Sequence, residues 1–142
     1  MDNVKVQTKE LAFSTKGDGE VIDLTDKVQK ALSEVNLKDG IVTCFAVGST
    51  AGITTIEYEP GLKQDLPDLM EKLVPAKDSY KHNATWGDGN GFSHLRHSLI
   101  GASITIPFEA GNLLVGTWQQ IVFLEFDNTQ RQRTVILQFI GA

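Results

Sequence analysis

A chain of 142 residues has the length of one domain and is long enough to bury a core. Its 41% hydrophobic and 22% charged residues are ordinary for a soluble globular protein. A formal net charge of −5 without a Lys/Arg run excludes a general nucleic-acid binder, which needs a basic footprint, and no apolar segment is long enough for a membrane span.

Val4–Ser14 alternates imperfectly and predicts an opening strand, followed by a turn at Lys16-Gly17-Asp18-Gly19. A helix is expected next, with Thr25 as its N-cap and Val28, Ala31, Leu32 and Val35 recurring at helical spacing. Asp39-Gly40 stops it, and the β-branched run Ile41–Val47 predicts a buried strand. Ile53–Tyr58 predicts another, ended by Glu59-Pro60-Gly61. Leu62, Leu66, Leu69, Met70 and Leu73 outline a second amphipathic helix with Pro67 in its first turns. From Ser98 onward the chain is β-rich. A hairpin turn is expected at Glu109-Ala110-Gly111-Asn112, then a final strand pair, Ile121–Phe126 with Thr134–Phe139, joined by Asp127–Arg133. The pattern predicts one α+β domain, 1–142, on a β-sandwich framework of mostly antiparallel strands with two main helices.

Cys44 is the only cysteine, so no internal disulfide or CxxC metal site exists. Its place in an apolar run points to a buried thiol acting as a small hydrophobe, with a catalytic thiol as the alternative. Met1-Asp2-Asn3-Val4-Lys5 lacks the basic and apolar regions of a signal peptide, so a cytoplasmic location is expected.

The segment with the most chemistry is a Gly-rich loop from Lys81 to His97 that contains all three histidines, His82, His94 and His97, with Gly87, Gly89 and Gly91 between them. It has three readings. His82 and His94 supply nitrogen ligands to a metal while Asp88 or Asn90 supplies oxygen, with Mg²⁺ preferring Asp88, phosphate oxygens and water. Alternatively, His94 or His82 is a general acid or base without a metal. In the third reading the glycines only make turns and the histidines bond backbone carbonyls. His97 is read as a surface or core residue. Arg96 is a candidate phosphate clamp, because a planar fork suits anionic oxygens; its alternative is a salt bridge.

Two other segments stand out. Val47–Thr55 is crowded with hydroxyls and glycines and can cradle an anion or simply turn the chain; no Gly-Lys-Ser/Thr makes it a P-loop. Glu57 beyond it is a candidate acid. Gly116-Thr117-Trp118-Gln119 interrupts an apolar strand pattern. There Trp118 either packs in the core or walls a pocket into which Thr117 and Gln119 point.

Taken in order, Ser49-Thr50-Ala51-Gly52-Ile53-Thr54 with Glu57, Tyr80-Lys81-His82, Asp88-Gly89-Asn90-Gly91-Phe92-Ser93-His94-Leu95, Ser98–Gly101, Ser103–Pro107, Gly111-Asn112-Leu113 and Gly116–Gln119 resemble the YjbQ-like family, also called the secondary thiamine-phosphate synthase family. The resemblance spans roughly residues 20 to 140. It implies a compact α+β fold on a β-sandwich, a homotrimer, and a site near subunit boundaries. That site would collect Thr50, Glu57, His82, Asp88, Asn90, His94, Thr117 and Gln119. It also implies that some members join a pyrimidine diphosphate to a thiazole phosphate and release diphosphate. Many members have histidine at the positions of Gly48 and Phe92, so this chain departs from the pattern there.

The expectations are therefore these. His94 and His82 are catalytic; Thr50, Glu57, Arg96, Thr117, Trp118 and Gln119 bind substrate; His82, Asp88, Asn90 and His94 hold a divalent metal, Mg or Zn. The partner is a small phosphorylated molecule, with Mg²⁺, Arg96 and backbone N–H groups stabilising the departing diphosphate. The alternative is a non-catalytic metal- or small-molecule-binding trimer. In neither case is a nucleic acid or a membrane a partner.

Overall fold

The computed structural model describes residues 3–142, so the N-terminal expectation at Met1 and Asp2 lies outside the described residues. Strand β7 (Gln120–Glu125) organises the rest, because it is buried on both faces. That is why Ile121–Phe126 reads as a continuous apolar run rather than an alternating one. It is the middle strand of a three-stranded antiparallel sheet, between β2 (Val21–Asp23) and β4 (Ala51–Ile56). A five-stranded sheet lies against it in the order β1 (Lys5–Thr15), β8 (Arg131–Gly141), β3 (Gly40–Val47), β5 (Ser103–Glu109) and β6 (Asn112–Leu113). Every pairing is antiparallel. The fold is thus an α+β sandwich, as expected.

The main core fills the space between the sheets. Val42, Cys44 and Ala46 of β3 and Val135, Leu137 and Phe139 of β8 meet Ile53 of β4 and Ile121 and Phe123 of β7, closed off by Leu24, Val28 and Leu32. The last two project from α1 (Thr25–Val35). Burial pushes the Cys44 thiol up to about 12, so it packs as a small hydrophobe and is not ionised near neutrality. Val122, Leu124 and Phe126 point to the other side of β7, where Met70 and Leu66 of α2 (Pro60–Leu73) and Ile100 cover them.

Several local expectations are corrected. Thr25 is the first helical residue, not the cap; Leu24 holds the cap position, and the Thr25 hydroxyl donates to Asp23 at 2.7 Å and accepts from the Ile121 N–H at 2.9 Å. Glu59-Pro60-Gly61 opens α2 instead of only ending a strand: Glu59 is its N-cap, accepting from the Gly61 and Leu62 N–H groups, and Pro60 takes the first turn. Pro67 is consequently inside the helix, not in its first turns. Ile121–Phe126 and Thr134–Phe139 are not a strand pair; they belong to opposite sheets, and residues 127–130 carry the chain from one to the other. The histidine segment is not a loop but two helices, α3 (Lys81–Trp86) and α4 (Gly91–Ile100), giving four helices rather than two among the described residues. Among those residues no helix is long and apolar enough to cross a membrane.

Where the chain changes sheets, an ion pair bridges the interior. Glu125 on β7 is 0% exposed and Arg133 on β8 is 7% exposed. Arg133 Nε donates to Glu125 Oε2 at 2.7 Å and Nη2 donates to Oε1. The Thr15 hydroxyl donates to Oε2 at 2.6 Å and the Asp127 N–H to Oε1 at 3.0 Å. Breaking a buried pair from one side strands the other charge. Arg133→Met is expected to cost about 3–5 kcal/mol in urea unfolding, and Glu125→Leu added to it should recover at least half of that loss.

Candidate functional site

The two histidine helices meet at a tight corner. α3 ends at Gly87, and Asp88-Gly89-Asn90 turns the chain into α4, with Asn90 at the N-cap position. Gly91 is required by close approach: a Cβ there would meet Tyr80 Cβ at 2.7 Å and Asn83 Oδ1 at 3.0 Å. Its N–H donates to Asn83 Oδ1 at 2.9 Å, which fastens the two helices together. α4 is tied to the small sheet through His97, whose Nδ1 lies 2.6 Å from the Ala51 carbonyl of β4. His97 is thereby structural, in keeping with the reading that set it aside.

At the corner, His82, Asp88 and Asn90 converge. One terminal atom of the Asn90 amide lies 2.9 Å from His82 Nε2 and 2.9 and 3.1 Å from the two Asp88 carboxylate oxygens. His82 Nε2 is also 3.3 Å from Asp88 Oδ1. The other terminal atom of the amide lies 3.5 Å from Asp127 Oδ1. Two amide orientations follow. With its nitrogen at the corner, Asn90 donates to Asp88 and to an unprotonated His82 Nε2. With its oxygen there, the nitrogen donates to Asp127, and three electron-rich atoms meet unless a proton or cation lies among them. The His94 ring stands 4.5 Å from the His82 ring, centroid to centroid, inclined by 55°. Among the described residues no point gathers three or more His, Cys, Asp or Glu side chains that could hold a metal ion; the third group at this corner is the Asn90 amide.

Beneath it lies a polar network that sequence reading missed. Asp127, 1% exposed, accepts from Thr50 Oγ1 at 3.0 Å, from Arg131 Nε at 2.8 Å and from the Asn128 N–H at 2.8 Å. Thr50 in turn accepts from Arg133 Nη2 at 2.8 Å. Asn128 Nδ2 donates to the Asp88 carbonyl at 3.2 Å, holding the β7–β8 turn against the helical corner. Charges at Glu125 and Asp127, ending an otherwise apolar run, were the available signal: a charge at a buried strand position requires a partner.

The remaining candidates go elsewhere. Arg96 is 6% exposed; its Nε and Nη2 donate to the Val74 carbonyl at 3.0 and 2.8 Å, and Nη2 to Glu71 at 2.7 Å. It lies over the Phe92 ring and ties α4 to the end of α2. Glu57, Thr117 and Trp118 line a separate cavity of about 310 Å³. Gln119 donates to Thr55 Oγ1 at 3.3 Å and accepts from the Gly116 N–H at 3.1 Å. Trp118 is 73% exposed and not in the core. The chain therefore gathers Thr50, His82, Asp88, Asn90 and His94 at one place, and Glu57, Thr117, Trp118 and Gln119 about another.

Burial pushes the Asp127 carboxyl up, but the hydrogen bonds from Arg131, Asn128 and Thr50 and the Arg131 charge outweigh that and hold it below its ordinary value of 3.8. A depressed carboxyl pKa contributes stability that is present above the unfolded value and lost as pH falls through the folded one. Chemical unfolding from pH 6 downward should show stability declining below about pH 4, and Asp127→Asn should flatten that decline.

The two-sheet fold and its helical corner define a small α+β sandwich protein with a histidine, a carboxylate and an amide gathered at one end. The model of the family described as UPF0047 protein YjbQ-like matches residues 9–142, and the chain belongs to that family. It is 39% identical to a UPF0047 protein of Archaeoglobus fulgidus, covering 89% of this chain and 97% of that one. It is 38% identical to a UPF0047 protein of Methanothermobacter thermautotrophicus, covering 92% and 90%. The crystal structure of a YbjQ-like protein of unknown function from Sulfolobus solfataricus superposes with a TM-score of 0.94 at 31% identity, covering 99% of this chain and all of that one.

Proposed function

We propose that His82, Asp88 and Asn90, with His94 beside them, hold a divalent cation, and that the protein acts there on a small phosphorylated molecule. The observation that carries this reading is the spacing at the corner. Two ligands about 2.1 Å from one ion and about 90° apart lie about 3 Å from each other, and the three separations among the Asn90, His82 and Asp88 atoms are 2.9, 2.9 and 3.3 Å. A donor set of one imidazole, one carboxylate and one amide oxygen suits borderline to hard ions such as Zn²⁺ or Mg²⁺. When bound, such an ion would neutralise and polarise phosphate oxygens. His82, facing the ion, would hold it, which leaves His94 to carry a proton to or from the substrate. With the ion bound, the amide oxygen would face it and the nitrogen would donate to Asp127, 3.5 Å away.

The reaction class offered by the family resemblance is thiamine-phosphate synthesis, in which a pyrimidine diphosphate loses diphosphate and its carbon is taken by a thiazole phosphate. In this reading Trp118, Thr117, Gln119 and Glu57 come to the histidine corner from a neighbouring subunit of a homotrimer. The exposed apolar side chains support it: Trp86, Leu95 and Leu99 on the histidine helices, and Leu114 and Trp118 near the other cluster, are each about half or more exposed. The rival reading, a trimer that binds a metal or small molecule without catalysis, is favoured by Phe92 and Gly48 standing where many members have histidine.

Metal analysis and calorimetry should find one divalent ion per chain, with affinity falling at least tenfold in Asp88→Asn and in His82→Ala. Incubation with the two thiamine precursors and Mg²⁺ should give product that His94→Ala abolishes. Product unaffected by that substitution removes the proton role from His94; bound metal without turnover selects the binding trimer. Sedimentation at micromolar concentration should give a trimer, and a monomer would sink the shared site.

A further inference from the structure

We infer that Arg131, rather than Arg96, is the residue that recognises the anionic group of the ligand at this corner; the inference rests on the cation reading above and extends it to a phosphate-type anion. The three arginines of the two ends of the site differ in what their guanidinium groups have left to offer. Arg96 is buried with Nε and Nη2 spent on Val74 and Glu71. Arg133 is buried with Nε and Nη2 spent on Glu125 and Thr50. Arg131 donates only Nε, to Asp127 at 2.8 Å. Its two terminal nitrogens have no hydrogen-bond partner among the described residues, and its side chain is 46% exposed.

A guanidinium held along one side by a buried carboxylate has already lost the rotamer freedom that ligand binding would otherwise cost. The edge it presents, formed by the two terminal nitrogens, matches two oxygens of a phosphate group. Its position is fixed relative to the corner by two links. Asp127, which holds Arg131, is the carboxylate that faces the Asn90 amide, and Asn128 bonds the Asp88 carbonyl. Arg131 is thus one carboxylate away from the cluster of His82, Asp88 and Asn90.

The charges here make the anion depend on the cation. Arg131 is paired with Asp127 and Arg133 with Glu125, while Asp88 faces only His82, an excess of one negative charge that repels an anion when His82 is neutral. A divalent ion at the corner reverses the sign. Cation and phosphate should therefore each tighten the other's binding by the same factor. A phosphate group carries enough oxygens to satisfy both Arg131 and a cation, which a carboxylate, with only two, does less well.

The test is calorimetric titration of the full-length protein, first with Mn²⁺ and then with inorganic phosphate or a simple phosphomonoester, each with and without saturating Mn²⁺. Expected is phosphate binding that Mn²⁺ strengthens at least tenfold and that Arg131→Gln weakens at least tenfold, while Mn²⁺ affinity changes by less than threefold. Arg131→Lys, which keeps the charge but not the fork, should fall between; it also answers the case in which Arg131→Gln does not fold, judged by circular dichroism. Phosphate affinity unchanged in both variants overturns the assignment of Arg131. Failure of Mn²⁺ to bind overturns the cation reading instead; the assignment of Arg131 then stands if Arg131→Gln still removes phosphate binding and falls if it does not. A phosphomonoester that binds much more tightly than inorganic phosphate identifies the source as an esterified ligand; equal affinities identify free phosphate.

Discussion

The structure hangs on the ion pair between Glu125 and Arg133. The two sheets of the sandwich share no strand pairing, so at this end their spacing is set by what lies between them. Elsewhere that is interdigitating Val, Leu and Phe; here it is a carboxylate and a guanidinium, both almost completely removed from water. Such a pair is rarely a net source of stability, since desolvating two charges offsets most of their attraction. What it imposes is geometry. Glu125 has its remaining capacity filled by Thr15 and by the Asp127 N–H, and Arg133 spends a further donor on Thr50. Those bonds tie β1, β7, β8 and the residue preceding β4 to one another at this end.

That constraint reaches the candidate site through Asp127. Two residues beyond Glu125, the chain leaves β7, and the side chain of Asp127 is seized by Thr50, Arg131 and the Asn128 N–H. The carboxylate is therefore a fixed acceptor presented to Asn90. Asn90 stands at the start of α4 and is almost fully buried, so its amide must choose between two faces: Asp127 on one side, His82 and Asp88 on the other. An amide has a donor end and an acceptor end: with its nitrogen outward it donates to Asp88 at 2.9 and 3.1 Å and to His82 Nε2 at 2.9 Å, and with its nitrogen inward it donates to Asp127 at 3.5 Å. The shorter contacts to Asp88 and His82 favour the nitrogen outward, and a cation or proton at the corner would favour the oxygen there. The buried pair thus helps to hold one of the two faces between which the Asn90 amide turns.

Most of the fold was legible in the sequence because it follows from periodicity. Val28, Ala31, Leu32 and Val35 mark α1, and the β-branched run at Ile41–Val47 marks β3. What periodicity does not report is which strands pair. Ile121–Phe126 and Thr134–Phe139 read as hairpin partners because they are neighbours in the chain, whereas β7 is buried on both faces and β8 belongs to the opposite sheet. The helices around the histidines were missed because three glycines in short succession signal turns, while two of them serve the corner between α3 and α4 and Gly91 serves close packing. For the site, the histidine, acid and amide types pointed to His82, Asp88, Asn90 and His94. Asp127 and Arg131 were read as part of a linker because their importance comes from long-range pairing with Thr50 and Asn90, which no local pattern carries.

The departures at Gly48 and Phe92 look different once these contacts are known. Phe92 lies beneath the Arg96 guanidinium and faces Glu71 and Phe126 across a cavity of about 290 Å³. On α4 it shares a face with Arg96, one turn on, whereas Asn90 and His94 share another. A histidine at 92 would thus alter how α4 is fastened to α2, not the groups around His82. Gly48 adopts φ = +139°, a conformation that residues with side chains rarely take, and a Cβ there would come within 3.1 Å of Arg133 Nη1. A histidine at 48 would strain that backbone and press its Cβ on the end of Arg133, which pairs with Glu125. Both departures touch an arginine that fastens one part of the scaffold to another, while His82, Asp88, Asn90 and His94 remain in place. An effect of either departure on the corner would pass through these arginines: Arg96 fastens α4 to the end of α2, and Arg133 donates to Thr50, which donates to the Asp127 carboxylate beneath Asn90.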